Sequence, residues 1–203
     1  LGMGNGLIAS GFHKKVLVIG ADAMSKIVDY TDRTTCILFG DGAGAFVIEA
    51  SSESDFLGSF KNTQGHLAEN LYCTGLSTDI AVGSEKSLNQ NGKEVYKWVV
   101  QHVPKSIKTL LESADMSMSD MDWFIPHSAN MRILEAISDR LSYPLEKLIC
   151  TIEEYGNTSA GTIPLAFVKG IDNGNIRPGQ RILMHGFGGG LTQAGVVLRL
   201  NSI

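Results

Sequence analysis

The chain has 203 residues, 43% of them hydrophobic and 19% charged, with 23 glycines and a formal net charge of −4. That balance belongs to a globular protein with enough apolar residues for a substantial core, in one large domain or two small ones. It argues against a general nucleic-acid binder, which carries a basic excess. No apolar run is long enough to cross a bilayer, and the first residues do not read as a signal peptide. A cytoplasmic location is therefore expected.

The opening segment Leu1–Gly11 reads as the last turns of a glycine-rich helix, entered without an N-cap signal. Val16–Asp22 is a continuous apolar run, which predicts a strand buried on both faces. Cys36–Phe39 and Ala45–Glu49 are further strand candidates, separated by Gly40-Asp-Gly-Ala-Gly44. Residues 51–91 are polar and rich in Ser, Asn and Gly, and predict an excursion with short strands at most. From Gly92 the period changes. Val95, Val99, Val103, Ile107 and Leu110 recur at helical spacing, with Pro104 expected to kink or divide the helix.

Trp123–Pro126 reads as a short strand ending at His127, and Ile133, Leu134, Ile137 and Leu141 mark one face of the next helix. A further helix is expected after Asn157, burying Ile163, Phe167 and Ile171 and stopping near Asn173-Gly174. Arg181–Met184 and Ala194–Leu200 close the chain as strands around Gly186-Phe-Gly-Gly-Gly190. Strands alternating with helices predict an α/β layered fold.

Cys36, Cys73 and Cys150 are odd in number, widely spaced and without a CxxC pair, so neither a disulfide framework nor a zinc site is indicated. The five histidines show no metal-ligating spacing, and no metal site is expected.

Three segments place polar or backbone-exposing groups where strands meet loops, the rim at which α/β sheets gather ligands. They are Pro126-His-Ser-Ala-Asn130, Gly156-Asn-Thr-Ser-Ala160 and Gly186-Phe-Gly-Gly-Gly-Leu-Thr192. Singly, each has an ordinary structural explanation: a satisfied histidine, a helix N-cap, a turn. Together and in this order, with Thr31-Asp-Arg33 and Phe39-Gly-Asp-Gly-Ala-Gly44 ahead of them, the chain resembles the β-ketoacyl-[acyl-carrier-protein] synthase III family of the thiolase-like superfamily. The resemblance runs from Leu1 to Ile203.

It implies a thiolase-like layered αβαβα fold. Residues 1–55 would be the end of the N-terminal half, 56–91 a connecting excursion, and 92–203 the C-terminal half with the catalytic His and Asn. It also implies a decarboxylative Claisen condensation of a short acyl-CoA primer with malonyl-acyl carrier protein (malonyl-ACP), with no cofactor and a homodimeric assembly. By the resemblance His127 and Asn157 stabilise the enolate, and Gly189 supplies a backbone N–H to an oxyanion hole. The chemistry suits those residue types. An imidazole N–H and a neutral amide N–H are paired donors, and the amide never titrates. Losing one oxyanion donor typically costs roughly 2.7–4 kcal/mol in the barrier.

The family's nucleophilic cysteine is expected a few residues before Leu1. Cys36, Cys73 and Cys150 do not fall on its position and read as small buried hydrophobes. On the substrate side, Arg33, Lys97 and Arg132 align with the tunnel mouth and carrier-docking surface. By the resemblance, Tyr96 and Asn130 are expected beside the pantetheine arm, and Met24 and Phe187 as walls of the acyl pocket. The chain departs from the family at Ser128, where glutamine is common, and at Gln193, where tryptophan is common.

Gly40–Gly44 is not a dinucleotide fingerprint, because a β-branched run follows instead of a helix. Those glycines are expected to permit close packing at a subunit or half-domain contact. A ketosynthase or acyltransferase of secondary metabolism is the alternative function. Chalcone-synthase-like enzymes and papain-type hydrolases also use Cys, His and Asn, but the flanking motifs favour synthase III. A catalytically silent partner subunit normally loses His or Asn, and both are retained.

Overall fold

The computed structural model describes residues 1–52, 55–74 and 87–201. Its elements in chain order are α1 (Gly2–Ala9), β1 (Lys15–Ala23), β2 (Asp41–Glu49), β3 (Phe56–Thr63), β4 (Leu71–Cys73), β5 (Leu88–Gln90) and α2 (Gly92–Glu112). There follow β6 (Trp123–Pro126), α3 (Met131–Leu141), α4 (Ile152–Tyr155), α5 (Thr162–Asp172), β7 (Arg181–Gly188) and β8 (Thr192–Arg199).

The main sheet has the order β3-β8-β7-β6. β7 pairs parallel with β6 and antiparallel with β8, which pairs antiparallel with β3. One face carries α2 and α3, whose Val99, Val103, Ile107 and Ile137 pack with Phe124, Leu183 and Val197 of the sheet. The other face sends Ile125, Ile182, Met184 and Val196 against Ala166, Ile163 and Phe167 of α5. Beyond α5 lies the antiparallel pair β1-β2, joined to it by the Phe46–Phe167 ring contact at 5.3 Å. Gly4 of α1 lies against Val16, Val18 and Ile48 on the same inner face of that pair. Four layers result: α2/α3, the four-stranded sheet, α1/α5, and β1-β2.

Several expectations change. The Val16–Asp22 run does form a strand, but β1 and β2 alternate in burial, and Leu17, Ile19 and Val47 are exposed on the outer face. Cys36–Phe39 is not a strand. Asp32 accepts hydrogen bonds from the Thr34 backbone and from the Thr34 and Thr35 hydroxyls, and its carbonyl accepts from Cys36, so the run is wound into turns.

α2 continues through Pro104, because its buried stripe is uninterrupted on both sides of that residue and offsets a helix-interior cost of about 3 kcal/mol. The segment 56–91 is more than a connection. Its first eight residues are β3, an edge strand of the main sheet, while 75–86 lie outside the described residues. Gly42 and Gly44 lie within β2 and Gly40 directly before it, and a Cβ on any of the three would run into residues 155–165.

Among the described residues, no helix is long and apolar enough to cross a membrane.

Candidate active site

β6 and β7 run parallel, and their C-terminal ends open onto one pocket. The ladder extends one step beyond β6, where the His127 N–H donates to the His185 carbonyl at 2.8 Å. The chain then turns sharply as the Ala129 N–H donates to the His127 carbonyl. Asn130 starts α3, its side-chain oxygen accepting the Ile133 N–H at 3.0 Å as an N-cap. That use of the oxygen leaves the Asn130 amide nitrogen for the pocket.

His127 is held on two sides. Its Nδ1 lies 2.8 Å from the Thr162 hydroxyl, and its ring meets Phe187 edge-on at 5.1 Å. The half-buried residue lines the pocket, and burial pushes the ring's pKa down to about 4. The histidine is therefore neutral near pH 7, fit to offer one N–H without carrying charge.

Asn157 arrives from the loop between α4 and α5, and its backbone is clamped by a segment far away in sequence. Its N–H donates to the Leu38 carbonyl at 2.8 Å, and its carbonyl accepts the Gly40 N–H at 3.0 Å, forming a parallel bridge at Phe39. Its side-chain Oδ1 accepts the Ser159 N–H at 2.9 Å. Ser159 takes a left-handed φ of 52° to make that turn, a conformation uncommon for a residue with a Cβ. With the oxygen committed, Nδ2 is the group left for the pocket.

Two glycines let this loop sit flush on β1-β2. A Cβ on Gly20 would stand 2.2 Å from the Ala160 carbonyl oxygen, and one on Gly42 would meet Thr158 and Leu165 at 2.8–2.9 Å. Asp22 of β1 adds a carboxylate that accepts the Ala160 N–H.

The pocket is narrow and largely apolar. Leu38, Phe39, Leu71, Val95, Trp98, Val99 and Phe187 line it around His127, Asn130 and Asn157. In such surroundings each polar group counts for more than it would in water.

Of the residues expected at the site, His127, Asn157, Asn130 and Phe187 come together here. The others stand off it. Gly188 faces the pocket, whereas Gly189 packs against the Leu71 carbonyl, 3.0 Å from where its Cβ would be. Met24 is buried one layer back, against Phe39 and Leu71. Tyr96 and Lys97 lie on the outer side of α2, Lys97 facing Glu94. Arg33 and Arg132 are exposed and make no ion pair among the described residues.

Sequence reasoning missed Val95, Trp98 and Val99 as pocket walls and Thr162 as the partner of His127. The i, i+3, i+4 spacing on α2 carried the first signal, since Tyr96 and Lys97 point off that face. None of the three cysteines lines the pocket. Burial pushes the Cys150 thiol upward in pKa, as suits an inert side chain.

An αβαβ layering with a histidine and an asparagine delivered to one rim matches four of the five layers of the thiolase-like αβαβα fold. The comparisons with known proteins narrow this further. Residues 1–65 match the family profile of 3-oxoacyl-[acyl-carrier-protein] synthase III, and residues 111–200 match the profile of its C-terminal part.

The chain is 49% identical over 203 residues to β-ketoacyl-[acyl-carrier-protein] synthase III 2 of Halalkalibacterium halodurans, covering 98% of this chain and 61% of that protein. It is 46% identical to the same-named protein of Bacillus subtilis, covering 98% of this chain and 62% of the relative. The solved structure of the Thermus thermophilus synthase III superposes with a TM-score of 0.91 at 36% identity, over 100% of this chain and 64% of that one. The priming β-ketosynthase of the R1128 polyketide pathway also superposes with a TM-score of 0.91, at 32% identity, over 98% of this chain and 61% of that one.

The chain belongs to the 3-oxoacyl-[acyl-carrier-protein] synthase III family. It spans about three fifths of the length of the curated relatives it matches.

Proposed function

We propose that the protein to which these residues belong condenses a short acyl-CoA primer with malonyl-ACP, giving 3-oxoacyl-ACP and carbon dioxide at the start of fatty-acid synthesis. The observation that carries this reading is the convergence of His127 and the nitrogen end of Asn157 on one apolar pocket. As the carboxylate C–C bond of the malonyl group breaks, its electron pair passes into an enolate whose oxygen needs donors. The His127 Nε2–H and the Asn157 Nδ2–H supply them in a poorly solvated place, where such donors act most strongly. The enolate carbon then attacks the acyl group carried as a thioester, and the thiolate leaves.

Cys36, Cys73 and Cys150 stand outside the pocket, and the reading assigns the thioester-bearing nucleophile to none of them. Gly189 is assigned to the oxyanion hole on the resemblance alone. Arg33, Lys97 and Arg132 are assigned to phosphopantetheine and carrier recognition, for which exposed cations are suited, with Tyr96 beside the arm and Met24 behind the acyl wall. The reading calls for no cofactor, a cytoplasmic location and a homodimer.

The experiment uses the natural full-length protein. His127→Ala and Asn157→Ala should each abolish malonyl-ACP decarboxylation while sparing self-acylation from acyl-CoA. Persistent decarboxylation in both variants would sink the assignment. The likeness to a priming ketosynthase of a polyketide pathway favours a second reading, condensation in secondary metabolism. A marked preference for a polyketide carrier protein over the fatty-acid carrier would select it.

A further inference from the structure

We infer that Thr162 is a positioning residue, whose hydroxyl donates to His127 Nδ1 and so holds the imidazole with its Nε2–H turned into the pocket. The inference deepens the enolate-stabilising role proposed for His127 and rests on that reading for its catalytic consequence. The hydrogen bond itself can be tested apart from that reading.

The Thr162 hydroxyl has one proton and two neighbours: His127 Nδ1 at 2.8 Å and the Ser159 carbonyl at 3.0 Å. In one arrangement the proton goes to Ser159, Nδ1 carries hydrogen and donates to the threonine oxygen, and Nε2 presents a lone pair to the pocket. In the other the hydroxyl donates to Nδ1, and Nε2 carries the hydrogen.

Three observations select the second. First, the Ser159 carbonyl already accepts the Thr162 backbone N–H, so it needs nothing from the hydroxyl. Second, Thr162 is the first residue of the 11-residue helix α5, and Nδ1 points at that end. The partial positive charge of a helix N-terminus favours a lone pair there over an N–H. Third, around His127 and Asn157 the pocket is walled by Leu38, Phe39, Val99 and Phe187. An anionic oxygen held there by Asn157 would face a repelling lone pair if Nε2 were bare, and a second donor if it is protonated.

Thr162 is only 1% exposed, so water cannot replace the hydroxyl. The Ser159 N–H, the other nearby donor, is spent on Asn157. The two catalytic side chains are thus oriented from one turn, Asn157 by the Ser159 backbone and His127 by the Thr162 side chain.

The test is 15N NMR of the full-length protein labelled at histidine. In the wild type, His127 should show a protonated Nε2 and an unprotonated, hydrogen-bonded Nδ1. A protonated Nδ1 in the neutral ring would overturn the inference without any variant being needed. In Thr162→Val the Nδ1 resonance should move to its position without a hydrogen bond, and decarboxylation should fall at least about tenfold in kcat with KM for malonyl-ACP little changed. Thr162→Ser should restore the resonance and most of the rate.

An unmoved Nδ1 signal in Thr162→Val, or a wild-type rate there, would also overturn it. Should the wild type itself fail to decarboxylate malonyl-ACP, the functional reading falls. The NMR arm still decides the hydrogen bond.

Discussion

Asn157 and Ser159 are joined by a hydrogen bond in which the serine N–H donates to the asparagine Oδ1 at 2.9 Å, and this contact decides which end of the amide is left for the pocket. Asn157→Asp keeps an oxygen for Ser159 but replaces the pocket-facing donor with an acceptor. Decarboxylation should fall about 10²–10³-fold, while thermal unfolding stays close to wild type. Asn157→Ala removes both ends, and should lower the melting temperature as well as the rate. A wild-type rate in Asn157→Asp would mean that the nitrogen is not the working end.

The loop that carries Asn157 depends on a close approach at Gly20. A methyl group there would stand 2.2 Å from the Ala160 carbonyl oxygen, a backbone atom that cannot swing aside. Gly20→Ala should therefore destabilise by about 1–3 kcal/mol, as overpacking does, and displace the 157–161 turn. Chemical denaturation together with decarboxylation rates checks both effects. Loss of stability with an intact rate would show that the turn is held from elsewhere.

His185 is buried on the α2-facing side of β7, the side it shares with Phe187, but it is not among the residues that line the pocket. Its Nε2 meets the Ser106 hydroxyl at 3.0 Å, and the same hydroxyl donates to Gln193 at 2.7 Å. Burial pushes its pKa from the ordinary 6.5 down to about 3. Above pH 6.5 the ring is neutral in both folded and unfolded chains, and it adds no pH dependence. Below that value the unfolded ring takes up a proton that the folded one refuses. Stability should then fall as pH drops, with a limiting slope of about 1.4 kcal/mol per pH unit from this residue. His185→Gln should flatten the curve between pH 6 and pH 4, as read by denaturant unfolding at stepped pH. An unchanged slope would assign the acid sensitivity to other groups.

Arg132 is the second residue of α3, two positions from Asn130, with its side chain exposed. If it meets an acidic carrier protein, Arg132→Glu should raise KM for malonyl-ACP several-fold and leave KM for acyl-CoA nearly unchanged, more so at low salt. Equal effects on the two substrates would remove the docking role.

The sequence made the candidate pair legible because each member borders a well-marked element: His127 follows a four-residue strand, and Asn157 precedes an amphipathic helix. The strands β6, β7 and β8 and the helices α2, α3 and α5 were readable for the same reason, through their periodicity. Cys36–Phe39 misled because local aspartate–threonine hydrogen bonds outweighed an apolar run, a competition that hydrophobicity alone does not register. Tyr96 and Lys97 stand on the outer side of α2, and the face that lines the pocket carries Val95, Trp98 and Val99. Thr162 was not legible, since a hydroxyl five positions beyond Asn157 acquires meaning only once β6 brings His127 beside it. β3 was hidden by its polar composition, as befits an edge strand with one side open to water.

The bridge between Phe39 and Asn157 has a consequence for how this architecture is inherited. His127 and Asn157 both belong to the later part of the chain, which invites treatment as a portable unit. Yet the backbone of Asn157 is gripped by residues 38 and 40, so a crossover between positions 50 and 91 would separate the asparagine from its clamp. A chimera joined there to a distant parent would inherit the right side chains on an unmatched support. The two halves are bound to descend together.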